Sequence, residues 1–177
     1  MRFVPSGALT IGLAFGALTL SANAQITQTN LLVAGRALGF IDALKHNSAV
    51  RVGIVYDPAV AQSAQQAAEF NAQLAGGLLI GGLNLRPVMV PLDRLDGDGV
   101  DAFLLTEGLG AEASRVARVG RARKIPCITF DLAQVRKGNC AMGVRSQPKI
   151  EVFVNRAAAD ATGMELAAVF RMMITEI

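Results

Sequence analysis

Near the start of the chain apolar residues recur at helical spacing. Leu31, Leu32, Ala34, Leu38, Ile41 and Leu44 follow each other at steps of mostly three and four, which predicts an amphipathic helix over residues 28–45. The pattern then changes. VRVGIVYD, residues 50–57, is a β-branched run with an apolar centre, as in a buried strand. Asp57-Pro58 comes next, an N-cap acceptor followed by the residue best suited to a first helical position. AVAQSAQQAAEFNAQLA then reads as a helix with Val60, Ala64, Ala67, Ala68 and Leu74 turned inward.

The glycines of GGLLIGG break that helix and predict a hairpin turn. LNLRPVMVPLD reads as a strand near a sheet edge, because Pro87 has no N–H to give to a ladder. VDAFLLTEG (100–108) is a second buried strand, and AEASRVARVGRARK is a helix carrying Arg115, Arg118, Arg121 and Arg123. IPCITFD (125–131) is a strand, LAQVRKG a short helix or turn, and CAMGV a strand. KIEVFVN (149–155) sets Ile150, Val152 and Val154 against Lys149, Glu151 and Phe153, a strand near an edge. RAAADATGMELAAVFRMMITEI reads as two short helices hinged at Gly163. Strands alternating with helices predict an α/β fold: a three-layer sandwich with a mostly parallel sheet and an antiparallel edge hairpin.

The first residues add a compartment. Arg2 is a short positive region, residues 8–20 are apolar and uncharged, and Ala22-Asn23-Ala24 is a small-x-small cleavage site. This is the pattern of a secretory signal peptide over residues 1–24. The apolar run is shorter than the roughly 20 residues a membrane span needs. Residues 25–177 are then expected to form one exported domain, located in a bacterial periplasm. The formal charge of +3 calls for no nucleic-acid partner.

Catalytic patterns are missing. His46 is the only histidine and falls at a helix end. There is no G-x-S-x-G and no H-E-x-x-H, so the expectation is a protein that is not an enzyme. GGLLIGGLN matches neither a dinucleotide fingerprint nor a phosphate loop, so no cofactor is expected. Asp93, Asp96, Asp98 and Asp101 loosely resemble a calcium loop, but Val100 takes a ligand position, and a solvated acidic loop is the favoured reading. With two cysteines and one distant histidine, no metal site is expected. The arginine helix is a solvated face or a docking patch for an acidic partner. Cys127 and Cys140 are not C-x-x-C. In an oxidising compartment they would pair as a structural bridge, if the strands they begin are neighbours; the alternative is two small buried apolar residues.

Two resemblances bear on function. FDLAQVRKGNCAMGV followed by KIEVFVNRAAADATGMELAAVFRMM resembles the YfiR family of periplasmic proteins, across residues 138–144, 149–155, 157–163 and 166–173. LLVAGRALGFIDAL, VRVGIVYD and VDAFLLTEG fit that order upstream, although Phe40 is the sole aromatic of the first helix. The resemblance implies a non-enzymatic regulator. It would bind and repress the periplasmic sensor domain of an inner-membrane signalling protein, such as a diguanylate cyclase in cyclic di-GMP signalling. Repression requires tighter binding to the inactive state. The contact would use Phe153, Phe170, Met172 and Met173, and a homodimer through the last helix fits the same reading. VRVGIVYDPAVAQSAQQAAEFNAQL and VDAFLLTEG also resemble one lobe of ABC-transporter substrate-binding proteins. That alternative implies a small ligand at the carboxyl ends of the strands, near Asp57, Thr106, Glu107 and Asp131.

Overall fold

The structure, a computed structural model, describes residues 21–96 and 98–177, with side chains from residue 28 onward. Residues 1–20, which hold the charged and apolar parts of the expected signal peptide, lie outside the described residues. The expected cleavage site falls in the first turns of α1, Ser21–Leu38.

One eight-stranded sheet organises the chain. In sequence order its strands are β1 Val50–Tyr56, β2 Leu78–Ile80, β3 Leu83–Pro91, β4 Ala102–Leu105, β5 Cys127–Thr129, β6 Met142–Arg145, β7 Glu151–Val154 and β8 Thr175–Glu176. In space the order is β2-β3-β1-β4-β5-β6-β7-β8. The five strands from β3 to β6 in that order are parallel to their neighbours. β2 is antiparallel to β3, β7 is antiparallel to β6, and β8 runs parallel to β7. The helices are α2 Ala61–Leu74, α3 Ala113–Arg123, α4 Leu132–Arg136, α5 Arg156–Thr162 and α6 Ala168–Arg171. The result is the expected three-layer sandwich.

Alternation along the strands builds two cores. Val50, Val52 and Ile54 of β1 share one core with Ala102 and Leu104 of β4, Ile128 of β5 and Met142 of β6. Leu31, Ala34 and Leu38 of α1 and Ala67, Phe70 and Leu74 of α2 cover it. Val55, Phe103 and Leu105 face the other way, into a second core closed by Ala113 and Val116 of α3. A fully buried Val, Leu or Phe contributes about 1.5–3 kcal/mol, and β1 has such residues on both faces. Gly143 permits one tight contact. A Cβ there would lie 2.6 Å from Val135 and 2.7 Å from Leu132, so its absence lets α4 lie directly on β6.

Several boundaries differ from those predicted. The first helix stops at Leu38 rather than continuing to residue 45. Gly39 interrupts it, and Ile41 instead forms a bridge to Leu166. Asp42 N–H donates to Glu165 O at 3.0 Å and Ala167 N–H donates to Phe40 O at 3.0 Å, replacing the lost helical bonds. Ile41 and Leu44 stay buried because a 3-10 turn, Asp42–Leu44, keeps them facing the same core. The inner face of α2 is Ser63, Ala67, Phe70 and Leu74, while Ala68 is exposed. GGLLIGG is a hairpin, as expected, but its Leu78–Ile80 centre is itself the edge strand β2. Gly81 and Gly82 turn the chain at φ of +59° and +85°, which two-residue hairpin turns require. Beyond Gly163 the last helix is only one turn, and the β-branched stretch after it joins β7 as β8. The β6–β7 hairpin therefore lies one strand inside the edge.

Cys127 and Cys140 are disulfide-bonded, with Cα atoms 5.1 Å apart. Both are buried. The bridge joins the amino ends of adjacent parallel strands and closes the β5–α4–β6 crossover, near the minimum length of about a dozen residues for such a connection. A separate polar clasp holds β1 to the start of β4. Arg51 N–H donates to Asp101 Oδ2 at 2.8 Å, Asp101 N–H donates to Arg51 O at 2.8 Å, and the guanidinium reaches the same carboxylate at 3.2 Å. Burial by itself would raise the Asp101 pKa; the bonds and charge of Arg51 outweigh it and hold the carboxyl below the usual range.

Two outcomes are expected. Cys127→Ala should lower unfolding stability by roughly 3 kcal/mol. Urea denaturation of protein made under oxidising conditions reads it directly, and coincident curves for mutant and wild type would disprove the contribution. The Asp101 carboxyl ionises at lower pH folded than unfolded, so its contribution is complete above the unfolded value of about 3.9 and disappears as pH falls through the folded one. Asp101→Asn should therefore flatten the acid limb of stability against pH, and an unchanged limb would exclude the clasp as its source.

Candidate functional site

The carboxyl edge of the parallel sheet is the place to look for a site. β1 sends the chain one way to β3, while β4 lies on its other side, so the connections diverge there. Such a switch point opens a crevice at the strand ends.

In this crevice α2 packs close. Asp57 N–H donates to Ser63 Oγ at 2.9 Å, the hydroxyls of Ser63 and Thr106 are 2.6 Å apart, and Thr106 Oγ1 donates to Val55 O at 3.0 Å. Ser63 and Thr106 are both buried. Thr106 thus ties β1, β4 and α2 together, and its hydroxyl is already committed. Asp57 is an Asx-turn acceptor rather than an N-cap: its Oδ1 takes the Ala59 N–H at 2.9 Å, and α2 starts only at Ala61. Asp131 caps α4, with Oδ1 accepting from Ala133 N–H at 2.9 Å and Oδ2 from Gln134 Nε2 at 3.3 Å. Three of the four ligand-binding candidates therefore serve local structure.

Glu107 is different. Its N–H donates to Gln66 Oε1 at 2.6 Å and one carboxylate oxygen accepts from Gln62 Nε2 at 3.1 Å. Its side chain lines a shallow cleft of about 210 Å³, together with Asn30, Phe130, Arg145, Ser146 and Gln147. These residues come from the ends of β4, β5 and β6 and from α1. The Phe130 ring is held edge-on against Phe70, with centroids 5.5 Å apart. Arg145 stacks over Phe153 at 5.1 Å and binds Glu151. Hydrogen bonds from Arg145 and then Lys149 keep the Glu151 carboxyl below its ordinary range. Among the described residues, Asn30 Oδ1 is buried without a hydrogen-bond partner. An orphaned buried acceptor costs about 1–3 kcal/mol unless something donates to it. The cleft is thus lined by a carboxylate, by the Phe130 ring and by a guanidinium whose Nε and Nη2 already bond Glu151. Arg145, Asn30 and Phe130 were not candidates in the sequence reading, because they converge only through strand order.

The four interface candidates divide. Phe153 is buried under Arg145, and Phe170 is buried and stacked on Phe40 with centroids 4.4 Å apart, so both belong to the core. Met172 and Met173 are exposed, at 82% and 68%. Two of the four aspartates of the acidic loop are spent on ion pairs, Asp98 with Arg123 and Asp101 with Arg51, and Asp96 Oδ1 accepts from Asp98 N–H. Among the described residues, no group of three or more His, Cys, Asp or Glu could hold a metal ion. His46 is exposed, beyond the turn that follows α1.

No protein-family model and no curated protein matches the chain. Solved structures do match it. The chain is similar to a substrate-binding protein with adhesive properties from Clostridium difficile, in its ligand-free, open form, at 15% identity and a TM-score of 0.53, over 77% of this chain and 57% of that one. It is similar to the ABC domain from Streptococcus pneumoniae in complex with L-Trp, at 16% identity and a TM-score of 0.56, over 81% and 61%. A conserved domain protein from Vibrio cholerae matches at 11% identity and a TM-score of 0.60, over 85% and 59%. The chain spans about three-fifths of these structures. At such identities the likeness concerns the fold, and it is the fold of the substrate-binding resemblance. The YfiR resemblance draws no support from these comparisons.

Ser63→Ala should lower stability by about 1–3 kcal/mol, because the Asp57 N–H loses its acceptor and Thr106 its partner. An unchanged urea midpoint would show that the network contributes nothing.

Proposed function

We propose that this domain is a non-enzymatic binding lobe that holds a small polar molecule in the cleft between Glu107 and Arg145. The observation that carries the reading is the Glu107 carboxylate at the carboxyl edge of the parallel sheet, in a cleft that Asn30, Phe130 and Arg145 also line. An amine would satisfy Glu107, and a carboxylate would meet Arg145 through Nη1, the guanidinium nitrogen not bonded to Glu151. A free α-amino acid has amine and carboxylate together, and one of the fold's neighbours is described in complex with L-Trp. The volume of about 210 Å³ lies below the roughly 300–1,000 Å³ of sites for drug-sized ligands, which favours a small molecule. Clefts of this kind lie preferentially between domains, so a second lobe or a second copy would complete the enclosure.

The disulfide fits an oxidising compartment and supports export to the periplasm. Among the described residues no helix is long and apolar enough to cross a membrane.

A second reading rests on a different surface. Met172, Met173 and Val169 are exposed together around α6, and apolar side chains so placed suit a protein partner. The regulator of an inner-membrane signalling protein would use this surface, without Phe153 or Phe170.

Thermal melting against a panel of L-amino acids and small amines tests the first reading. A true ligand at a hundredfold excess over its Kd should raise Tm by roughly 5 °C or more. Glu107→Ala should abolish the rise. No rise with any compound, together with Met172-dependent capture of a membrane signalling protein, would replace the lobe with the regulator.

A further inference from the structure

At the opposite end of the sheet from the cleft, between α3, α4 and α5, lies a groove of about 460 Å³. Its charged lining residues are Arg121, Arg136 and Lys137, and no carboxylate lines it. The rest of the lining is small or amide-bearing: Gly138, Asn155 and three alanines of α5. Asn155 is already engaged, donating to Val135 O at 2.9 Å and accepting from Ala158 N–H at 3.0 Å. A fourth cation stands beside the groove, where Lys124 Nζ donates to the Ala161 carbonyl at 3.0 Å.

The distribution of charge on α3 sharpens the contrast. Arg115 pairs with Glu112 and Arg123 with Asp98, while Arg118, exposed and away from the groove, forms no ion pair among the described residues. Arg121, on the groove, instead donates to the Gly138 carbonyl at 2.9 Å, which fixes its direction without neutralising it. Among the described residues Arg121, Lys124, Arg136 and Lys137 form no ion pair. All four are exposed. Like charges on a concave wall reinforce each other's potential, and a groove focuses that field outward.

We propose that this groove docks an acidic segment of a partner protein, an extended stretch with several carboxylates. Charge complementarity selects the sign of the occupant. Shape selects its form: a flat bilayer cannot enter a depression between three helices, whereas an extended chain can. The small side chains of α5 let that chain come close to the backbone, with the guanidinium and ammonium groups at its flanks. This surface is separate from the Glu107 cleft and does not depend on its occupancy.

The test uses the full chain and a short labelled peptide of alternating Glu and Gly, with binding read by fluorescence anisotropy. At about 20 mM salt, where screening reaches only beyond roughly 20–30 Å, binding should saturate, and it should weaken steadily as salt rises. The double variant Arg136→Glu/Lys137→Glu should weaken it about tenfold or more. The control Arg86→Glu/Arg94→Glu removes two other cations that form no ion pair among the described residues and should leave the affinity unchanged. Both pairs alter exposed side chains, and an unchanged melting temperature confirms that each variant is folded. Equal weakening by the two pairs, no binding at low salt, or binding to phosphatidylglycerol vesicles without binding to the peptide would each overturn the proposal.

Discussion

Burial of β1 on both faces constrains everything else in the molecule. Val50, Val52, Ile54 and Val55 are almost wholly excluded from water, the first three facing one core and Val55 the other. A strand of this kind cannot lie on a surface. It needs neighbours on both edges and helices above and below. Parallel neighbours in turn need crossovers, and crossovers deliver every polar loop to one of two ends. The carboxyl end received Glu107, Phe130 and Arg145; the amino end received the disulfide and the basic groove. Two chemically different surfaces are thus a result of one strand buried on both faces.

Much of the fold was legible because its signals are local. VRVGIVYD, AFLL and IPCITFD are short apolar runs between turn residues, and each became a parallel strand. Pro87 also read correctly. β2 pairs with β3 only as far as Leu85, so Pro87 sits where no outer ladder asks for its N–H. The departures share a cause, which is that distant partners decided the outcome. Ile41 left its helix for a bridge to Leu166, more than a hundred residues away in sequence. The stretch after Met173 reads as helix by its neighbours, yet the free edge of β7 captured it.

The site was legible only in outline. The rule that ligands bind at the carboxyl ends of parallel strands selects Asp57, Thr106, Glu107 and Asp131 without distinguishing among them. Their hydrogen bonds make the distinction: Thr106 and Asp131 are consumed by the scaffold, Asp57 is half consumed, and Glu107 keeps an oxygen to spare. Arg145 lies at the end of a strand that was expected but shows no motif of its own. Apolar residues raised the opposite difficulty. Phe170 and Met172 are two positions apart in one short segment, but a single turn of helix puts the first against Phe40 and the second in water.

The sheet ends differently on its two sides, and this bears on how the protein behaves in concentrated solution. An open strand edge is a template for another chain, and long flat edges lead to fibrils. Here one edge is β2, only three residues between paired glycines, with Pro87 guarding the uncovered part of β3 beyond it. The other is β8, two residues long and carrying the charge of Glu176. Neither offers enough ladder to nucleate cross-β stacking. The molecule can expose Leu79, Met172 and Met173 to water and still be protected against aggregation through its own backbone.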